Sequence, residues 1–245
     1  MTQEMKWQDS VDLNGHPTQE FYVSSDTNRT VTGALWLPKG RPADILMIFG
    51  HGASDDRYQT PICELAARFI QEANIAVLSM DGPVHGLRQV GPGGRAALGQ
   101  EFRRPECIDD MVNDWDIAIS AVTERQDLQI SKLAYFGLSM GSIFGIPLIA
   151  HRTDFVVATL GLLGSSGAVS FLGDRIIEDA AKISIPVLYL MQLEDELFDR
   201  DGYLKVFDQL SSKDKRLHAN PGLHPDVPQE EVDFSFEFLM KYING

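Results

Sequence analysis

Five short apolar runs, each followed by a turn, constrain the fold of this chain more than any other feature. They occupy Ile45–Phe49, Ile75–Met80, Lys132–Phe136, Val156–Leu160 and Val187–Met191. Continuous apolar strands of this length need cover on both faces, as in a parallel sheet flanked by helices. Segments with a helical period separate the runs, most clearly at residues 106–124. Strand and helix therefore alternate, which predicts an α/β fold with a doubly wound, mostly parallel sheet.

The part of the chain before the first run has a different texture. Apolar and polar side chains alternate around Phe21 and over residues 31–37, which predicts antiparallel strands at a sheet edge. Further helices are predicted over residues 61–71, 174–182 and 229–243. No repeat or linker-like stretch divides the 245 residues, so we expect a single domain over residues 1–245.

Composition and charge exclude several classes of partner. The formal net charge of −14 repels phosphate backbones, so we expect no nucleic-acid partner. No apolar run reaches membrane length, and the first residues lack the pattern of a secretory signal, so a cytoplasmic protein is expected. The two cysteines, Cys63 and Cys107, fall in predicted helices, where buried free thiols are the expectation.

The chemistry of the chain centres on one motif, Gly137-Leu138-Ser139-Met140-Gly141. It follows the third apolar run and precedes an apolar helical segment, which is the strand–turn–helix setting of a G-x-S-x-G nucleophile elbow. The glycines permit a sharp turn that projects the Ser139 hydroxyl above the sheet. The alternative is a small-residue turn that only packs a helix against a strand. Pro147 is expected to kink or shorten that helix.

With this motif in place, residues 30–243 resemble the α/β-hydrolase superfamily. The chain looks most similar to its dienelactone-hydrolase-like and esterase branches, although Ser139 replaces the cysteine nucleophile of true dienelactone hydrolases. The resemblance implies an α/β-hydrolase fold and an enzyme that hydrolyses carboxylic esters through an acyl-enzyme. Only one helix fits between Gly164 and Val187, where larger members carry a cap, so we expect little or no cap domain and small to medium acyl groups.

A serine hydroxyl needs a base to remove its proton. His224 lies in a turn after the last predicted strand, where the fold places the base, so His224 is the predicted base. His218, in a short β-like run, is the competitor. His51 is interpreted as a scaffold residue that holds its loop.

The third member of the triad orients the imidazole and must precede the histidine in this fold. The run Val187–Met191 is followed by Glu194, Asp195 and Glu196. Asp195 matches the family pattern and is the predicted acid. The two flanking glutamates are its alternatives, and those not used are interpreted as a solvated acidic loop.

Acyl transfer also needs donors aimed at the developing oxyanion. The backbone N–H of Met140, next to the nucleophile, is one predicted donor. The segment Gly50–Gly52 matches the family's loop after the first parallel strand, which makes the Ala53 N–H the second. A further hypothesis is that Arg88 or Arg95 contacts a substrate carboxylate, against the simpler interpretation of a solvated loop.

The same triad would serve a thioesterase, a deacetylase or a serine peptidase, and a non-catalytic ligand-binding homologue is a further alternative. We predict a small-molecule ester substrate. No cofactor or metal is predicted, because no metal-ligand spacing and no phosphate-binding loop is present. Oligomeric state stays open, with an exposed sheet edge or the final helix available for a homodimer.

Overall fold

The structure is a computed structural model that describes residues 5–24 and 29–244, except for the side chain of residue 95. The strands are β1 (Lys6–Val11), β2 (Pro17–Ser24), β3 (Thr30–Trp36), β4 (Ile45–Gly50), β5 (Ala76–Met80), β6 (Lys132–Gly137), β7 (Phe155–Gly161), β8 (Val187–Gln192) and β9 (Lys215–Asn220). The helices are α1 (Thr60–Glu72), α2 (Gly94–Glu101), α3 (Cys107–Thr123), α4 (Met140–His151), α5 (Gly173–Ala180), α6 (Arg200–Gln209) and α7 (Gln229–Ile243). Short 3-10 helices span Gly86–Arg88 and Gly167–Leu172.

The chain contains two compact units, residues 1–133 and 134–245, so the single domain over residues 1–245 stays a prediction. In the first unit the strand order is β1-β2-β3-β5-β4. The strands β1, β2, β3 and β5 pair antiparallel in succession, and β4 pairs parallel with β5. The prediction of antiparallel N-terminal strands is confirmed. Strand β1 was not predicted, because its residues are largely polar and exposed.

Helices α1 and α3 each bury one apolar stripe. Pro61 lies in the first turn of α1, where its missing N–H costs no helical hydrogen bond. Both cysteines are free and buried, Cys63 within α1 and Cys107 at the start of α3, as expected. Helix α2 was not predicted, because its glycine-rich start resembles a loop.

In the second unit the strand order is β6-β7-β8-β9, with β7, β8 and β9 parallel. Helix α4 begins at Met140 and runs through Pro147 to His151, so Pro147 does not shorten it, and the alternative of a kink stays a prediction. Pro147 removes the donor to the carbonyl of Ile143, four residues earlier. The helix persists because residues 140–149 are all buried, and packing outweighs the lost hydrogen bond.

The segments after the strands of the second unit hold the predicted triad. Ser139 follows the end of β6, Asp195 follows β8, and His224 follows β9. Between β7 and β8 lie only the short 3-10 helix and α5, which confirms the prediction of little or no cap domain. Among the residues that the structure describes, no helix has both the length and the apolar character needed to cross a membrane.

Candidate active site

The elbow places Ser139 between β6 and α4 in an unusual backbone conformation. Its φ is 57° and its ψ is −119°, a region that residues with a side chain rarely occupy. Such a conformation costs about 1–3 kcal/mol and persists only where the surroundings enforce it. The Ser139 N–H donates to the carbonyl of Gly161 at 2.9 Å, and the side chain stays partly exposed.

Two buried hydroxyl groups hold the backbone of the elbow by hydrogen bonds. Ser142 Oγ lies 2.7 Å from the carbonyl oxygens of Gly137 and Gly161 and accepts the Gly161 N–H at 2.8 Å. Tyr135 donates its hydroxyl proton to the Gly141 carbonyl at 2.6 Å. Glycine is required at 137, because a Cβ there would lie 2.7 Å from a ring carbon of buried Tyr135. These contacts hold the backbone of Ser139 in its strained conformation.

His224 connects the serine hydroxyl to a carboxylate. Its Nε2 lies 2.8 Å from Ser139 Oγ, and its Nδ1 lies 2.8 Å from Asp195 Oδ2. Because a carboxylate only accepts, Nδ1 carries the proton and Nε2 is free to accept from the serine hydroxyl. The imidazole side chain is 12% exposed. This arrangement has the geometry that proton transfer from Ser139 to His224 requires.

Asp195 is held as an anion by four donors. Its Oδ1 accepts the backbone N–H groups of Leu197 at 2.7 Å and Phe198 at 3.1 Å. Its Oδ2 accepts from His224 and from the hydroxyl of Tyr203, a fully buried residue on α6. Burial alone would raise the pKa of the Asp195 carboxyl, but the hydrogen bonds from Tyr203 and His224 bring that pKa below its ordinary value.

The glutamates on either side of Asp195 do not reach the imidazole. Glu194 accepts the Gly222 N–H at 2.5 Å, and Glu196 accepts the His224 N–H at 2.9 Å. The hydrogen bond from the His224 N–H lowers the pKa of Glu196. Both carboxylates are exposed, as expected of a solvated acidic loop, and each also accepts a backbone N–H of the histidine turn.

The other histidines have different partners. His218 Nδ1 lies 2.9 Å from a carboxylate oxygen of Glu231, on α7. His51 accepts the Gly82 N–H at Nε2 and donates from Nδ1 to the Gly52 carbonyl, both at 2.8 Å. Burial lowers the pKa of His51, in keeping with a neutral ring. His51 thus holds its loop.

The predicted oxyanion donors lie in separate units. Met140 is the first residue of α4, so its backbone N–H has no acceptor within the helix. In the first unit, His51 holds the Gly52 carbonyl. In a trans peptide the N–H points opposite to the carbonyl, so the Ala53 N–H points away from His51.

The structure tests whether Arg88 is available to contact a substrate carboxylate. Arg88 pairs with Asp114 at 2.6 Å and donates to the Asp81 carbonyl, and its side chain is 9% exposed. The guanidinium of Arg88 therefore already has its partners within the protein, and the hypothesis that Arg88 binds a substrate carboxylate is wrong. The side chain of Arg95 lies outside the described residues.

Sequence reasoning missed Tyr203 and Ser142. Tyr203 lies on a different element from Asp195, and Ser142 reads as one small residue in an apolar helix. No spacing rule separates either residue from ordinary helix positions. Within residues 5–24 and 29–244, no group of three or more His, Cys, Asp or Glu side chains is arranged to hold a metal ion.

The chain matches no protein-family model and no curated protein sequence. It does match solved structures over nearly its whole length. A cold-adapted esterase from an Arctic intertidal metagenomic library is 29% identical, with 97% of this chain and 99% of that chain covered and a TM-score of 0.84. These values extend the similarity beyond any single motif.

Two more distant structures share the fold. Acetyl xylan esterase 1 from Thermoanaerobacterium sp. is 14% identical, with 98% and 88% of the two chains covered and a TM-score of 0.75. A dienelactone hydrolase from Anabaena variabilis is 21% identical, with 92% and 98% covered and a TM-score of 0.65. The chain has the α/β-hydrolase fold, and the predicted fold class and family resemblance are confirmed.

Proposed function

We propose that this protein is a serine hydrolase that cleaves carboxylic esters, with Ser139 as nucleophile, His224 as base and Asp195 as the orienting acid. The observation that carries the proposal is the continuous set of hydrogen bonds from Ser139 through His224 to Asp195. The similarity to a protein described as an esterase, over 97% of this chain, supports the same reaction class.

The first half of the reaction forms an acyl-enzyme. His224 Nε2 takes the Ser139 proton as Oγ attacks the ester carbonyl carbon, and the carbonyl oxygen becomes negative. The N–H groups of Met140 and Ala53 are proposed to stabilise that oxyanion. The tetrahedral intermediate then collapses, the C–O bond to the alcohol breaks, and His224 gives its proton to the leaving oxygen.

The second half releases the acid. Water loses a proton to His224 Nε2 and attacks the acyl carbon, and a second tetrahedral intermediate forms. Its collapse breaks the bond to Ser139 Oγ, which takes the proton back. Asp195 stabilises the imidazolium in both halves without taking its proton. Water is the only co-reactant that this balance requires.

The proposed substrates carry small to medium acyl groups. Between β7 and β8 the structure has one short 3-10 helix and α5, which is too little chain for a cap domain. Without a cap, few side chains are available to enclose a long acyl chain. A series of p-nitrophenyl esters from acetate to palmitate tests this, with kcat/KM expected to peak at the short end.

The decisive test of the proposed function is Ser139→Ala with p-nitrophenyl butyrate. We expect kcat of the variant to be about 10⁴-fold or more below that of wild type, because the other members of the triad cannot act without the nucleophile. Ser170→Ala, an exposed serine in the second 3-10 helix, is the matched control and should keep full activity.

Labelling with a fluorophosphonate probe provides a second readout. The wild type and Ser170→Ala should be labelled, and Ser139→Ala should not. A wild type that neither cleaves the ester nor reacts with the probe would contradict the proposal and favour a non-catalytic ligand-binding protein. Matched thioester and anilide substrates separate an esterase from a thioesterase or peptidase.

We also propose a cytoplasmic location, in which the protein meets neither membrane nor nucleic acid. Cys63 and Cys107 are free and buried, which suits a reducing compartment. Cell fractionation tests the location. Light scattering after gel filtration tests whether the protein forms a homodimer.

A further inference from the structure

Several hydrogen bonds connect two segments of the second unit. We call residues 192–196 the acid loop and residues 220–226 the histidine loop. Two of the bonds are backbone contacts: the Leu193 N–H donates to the Asn220 carbonyl at 2.8 Å, and the Glu194 N–H donates to the Gly222 carbonyl at 3.2 Å. They continue the parallel pairing of β8 with β9 for a short distance past the strand ends.

Side chains of the acid loop make the other contacts. Buried Gln192 donates to the Asp226 carbonyl at 2.6 Å. Glu194 accepts the Gly222 N–H, and Glu196 accepts the His224 N–H. Asp195, between the two glutamates, accepts from the His224 ring. One carboxylate therefore holds the imidazole, and its two neighbours hold the backbone that carries the imidazole.

We propose that Glu194 and Glu196 are positioning residues that fix His224 for proton transfer from Ser139. The inference rests on the proposed function and adds to it a second role for the acid loop. The two glutamates accept hydrogen bonds from backbone N–H groups and not from Ser139 or the His224 ring, so we place their action in the backbone of the histidine loop.

The backbone of the histidine loop needs such support. Gly222 has a φ of 117°, and a Cβ there would lie 2.8 Å from Cβ of Asp226, so this turn depends on a glycine. A glycine turn is intrinsically free to adopt other conformations. The His224 N–H lies past the backbone pairing of the two loops and donates to a side chain instead.

Carboxylates suit this task because the turn is exposed. Hydrogen bonds from N–H groups to a carboxylate are charge-assisted and stronger than those to a neutral acceptor, so they compete better with water. Glu194 and Glu196 lie on the two sides of Asp195 in the chain, and their N–H partners lie two residues apart in the histidine loop. The pair therefore limits the pivoting of the loop that would carry the ring away from Ser139.

The experiment compares Glu196→Ala and Glu196→Gln with wild type. Glu196→Ala removes the acceptor, and we expect kcat for p-nitrophenyl butyrate to fall about 10-fold with KM changed less than about 2-fold, because misplacing the base affects the chemical step. Glu196→Gln keeps an amide oxygen that accepts the same N–H, and should stay within about 3-fold of wild type. Glu194→Ala combined with Glu196→Ala should lower kcat further than either alone. Glu237→Ala, an exposed glutamate on α7, is the matched control.

Hydrogen exchange gives a readout that needs no substrate. In Glu196→Ala the His224 amide should exchange about 10-fold faster or more, because its acceptor is gone, while Glu237→Ala should leave it unchanged. Unchanged exchange together with wild-type kcat in Glu196→Ala would overturn the proposal. So would a Glu196→Gln variant that is as slow as Glu196→Ala while its His224 amide exchanges as in wild type, since the negative charge and not the hydrogen bond would then matter.

The two proposals fail separately. A wild type that cleaves no ester, with exchange at His224 that still responds to Glu196→Ala, refutes the esterase function and leaves the backbone contact in place. An active wild type whose kcat and exchange ignore both glutamates refutes the positioning role alone. Thermal unfolding of each variant separates a local effect from a loss of the fold.

Discussion

At the residue scale, the site depends on how many donors each carboxylate receives. Asp195 is 1% exposed at its side chain and accepts from two backbone N–H groups, one imidazole and one phenol. A buried carboxylate with fewer donors would have a raised pKa and would fail to stabilise an imidazolium. Tyr203 is therefore as much a part of the acid's environment as His224.

This environment predicts how Tyr203→Phe changes stability with pH. The variant keeps the ring but removes one donor to an anion, so we expect a loss of about 1.5–3 kcal/mol of unfolding free energy at pH 7. The pKa of Asp195 is lowered in the folded protein, so its contribution is full above the unfolded value of about 3.9 and is lost as pH falls below it.

Urea unfolding of wild type and Tyr203→Phe at pH 7 and at the lowest pH that keeps the fold measures the effect. The gap between the two proteins should shrink at the acid end. Tyr242→Phe, on α7 and outside the site, shows how much a phenol hydroxyl contributes elsewhere. A gap for Tyr203→Phe that is absent at pH 7, or that widens in acid, would contradict the assignment.

At the element scale, the elbow depends on how closely α4 approaches β6. Tyr135 of β6 is fully buried and donates to the Gly141 carbonyl inside the first turn of α4. Gly145, one turn further along α4, faces the same ring, and a Cβ there would come closer to it than real contacts allow. Pro147 is tolerated in the same helix because packing of this kind holds it.

The close approach predicts that Gly145→Ala destabilises the protein, although alanine favours helices. Overpacking against a buried ring costs about 1–3 kcal/mol, which exceeds the gain of about 1 kcal/mol in helix propensity. Gly99→Ala in α2 is the matched control, because a Cβ at Gly99 meets nothing within 4 Å. We expect it to stabilise by about 0.5–1 kcal/mol. Urea unfolding of the two variants should give opposite signs, and equal stabilisation would contradict the packing argument.

At the scale of the whole molecule, the net charge of −14 acts on substrates before they bind. A strongly negative protein repels anionic ligands over a Debye length, which shrinks from about 30 Å at 0.01 M salt to about 8 Å at 0.15 M. The exposed carboxylates Glu194 and Glu196 add to this repulsion beside His224.

Salt should therefore change the selectivity of the protein. We expect kcat/KM for a succinate half-ester of p-nitrophenol to rise several-fold between 0.01 and 0.15 M salt, because screening removes repulsion. The neutral p-nitrophenyl butyrate, measured in the same buffers, should change little. A fall in the rate with the anionic ester would reveal a cationic group at the site and would return attention to Arg95.

Most of the elements and their order follow from local patterns in the sequence. Apolar runs and helical periods are local, so five strands, the main helices and the position of Ser139 between β6 and α4 follow from the order of residues alone. Elements with polar or glycine-rich sequences, such as β1 and α2, escaped because they bury little apolar surface.

Which side chains meet depends on contacts between segments that are distant in the chain. Three adjacent carboxylates follow β8, and the family pattern selects Asp195 as the acid, but nothing in their order says that Glu194 and Glu196 bind the backbone of the histidine loop. Side-chain direction depends on turns whose shape is fixed by contacts between distant segments. The ion pair between Arg88 and buried Asp114 depends on such contacts in the same way. The elements are thus local in origin, whereas the hydrogen bonds of the site join residues that the chain order keeps far apart.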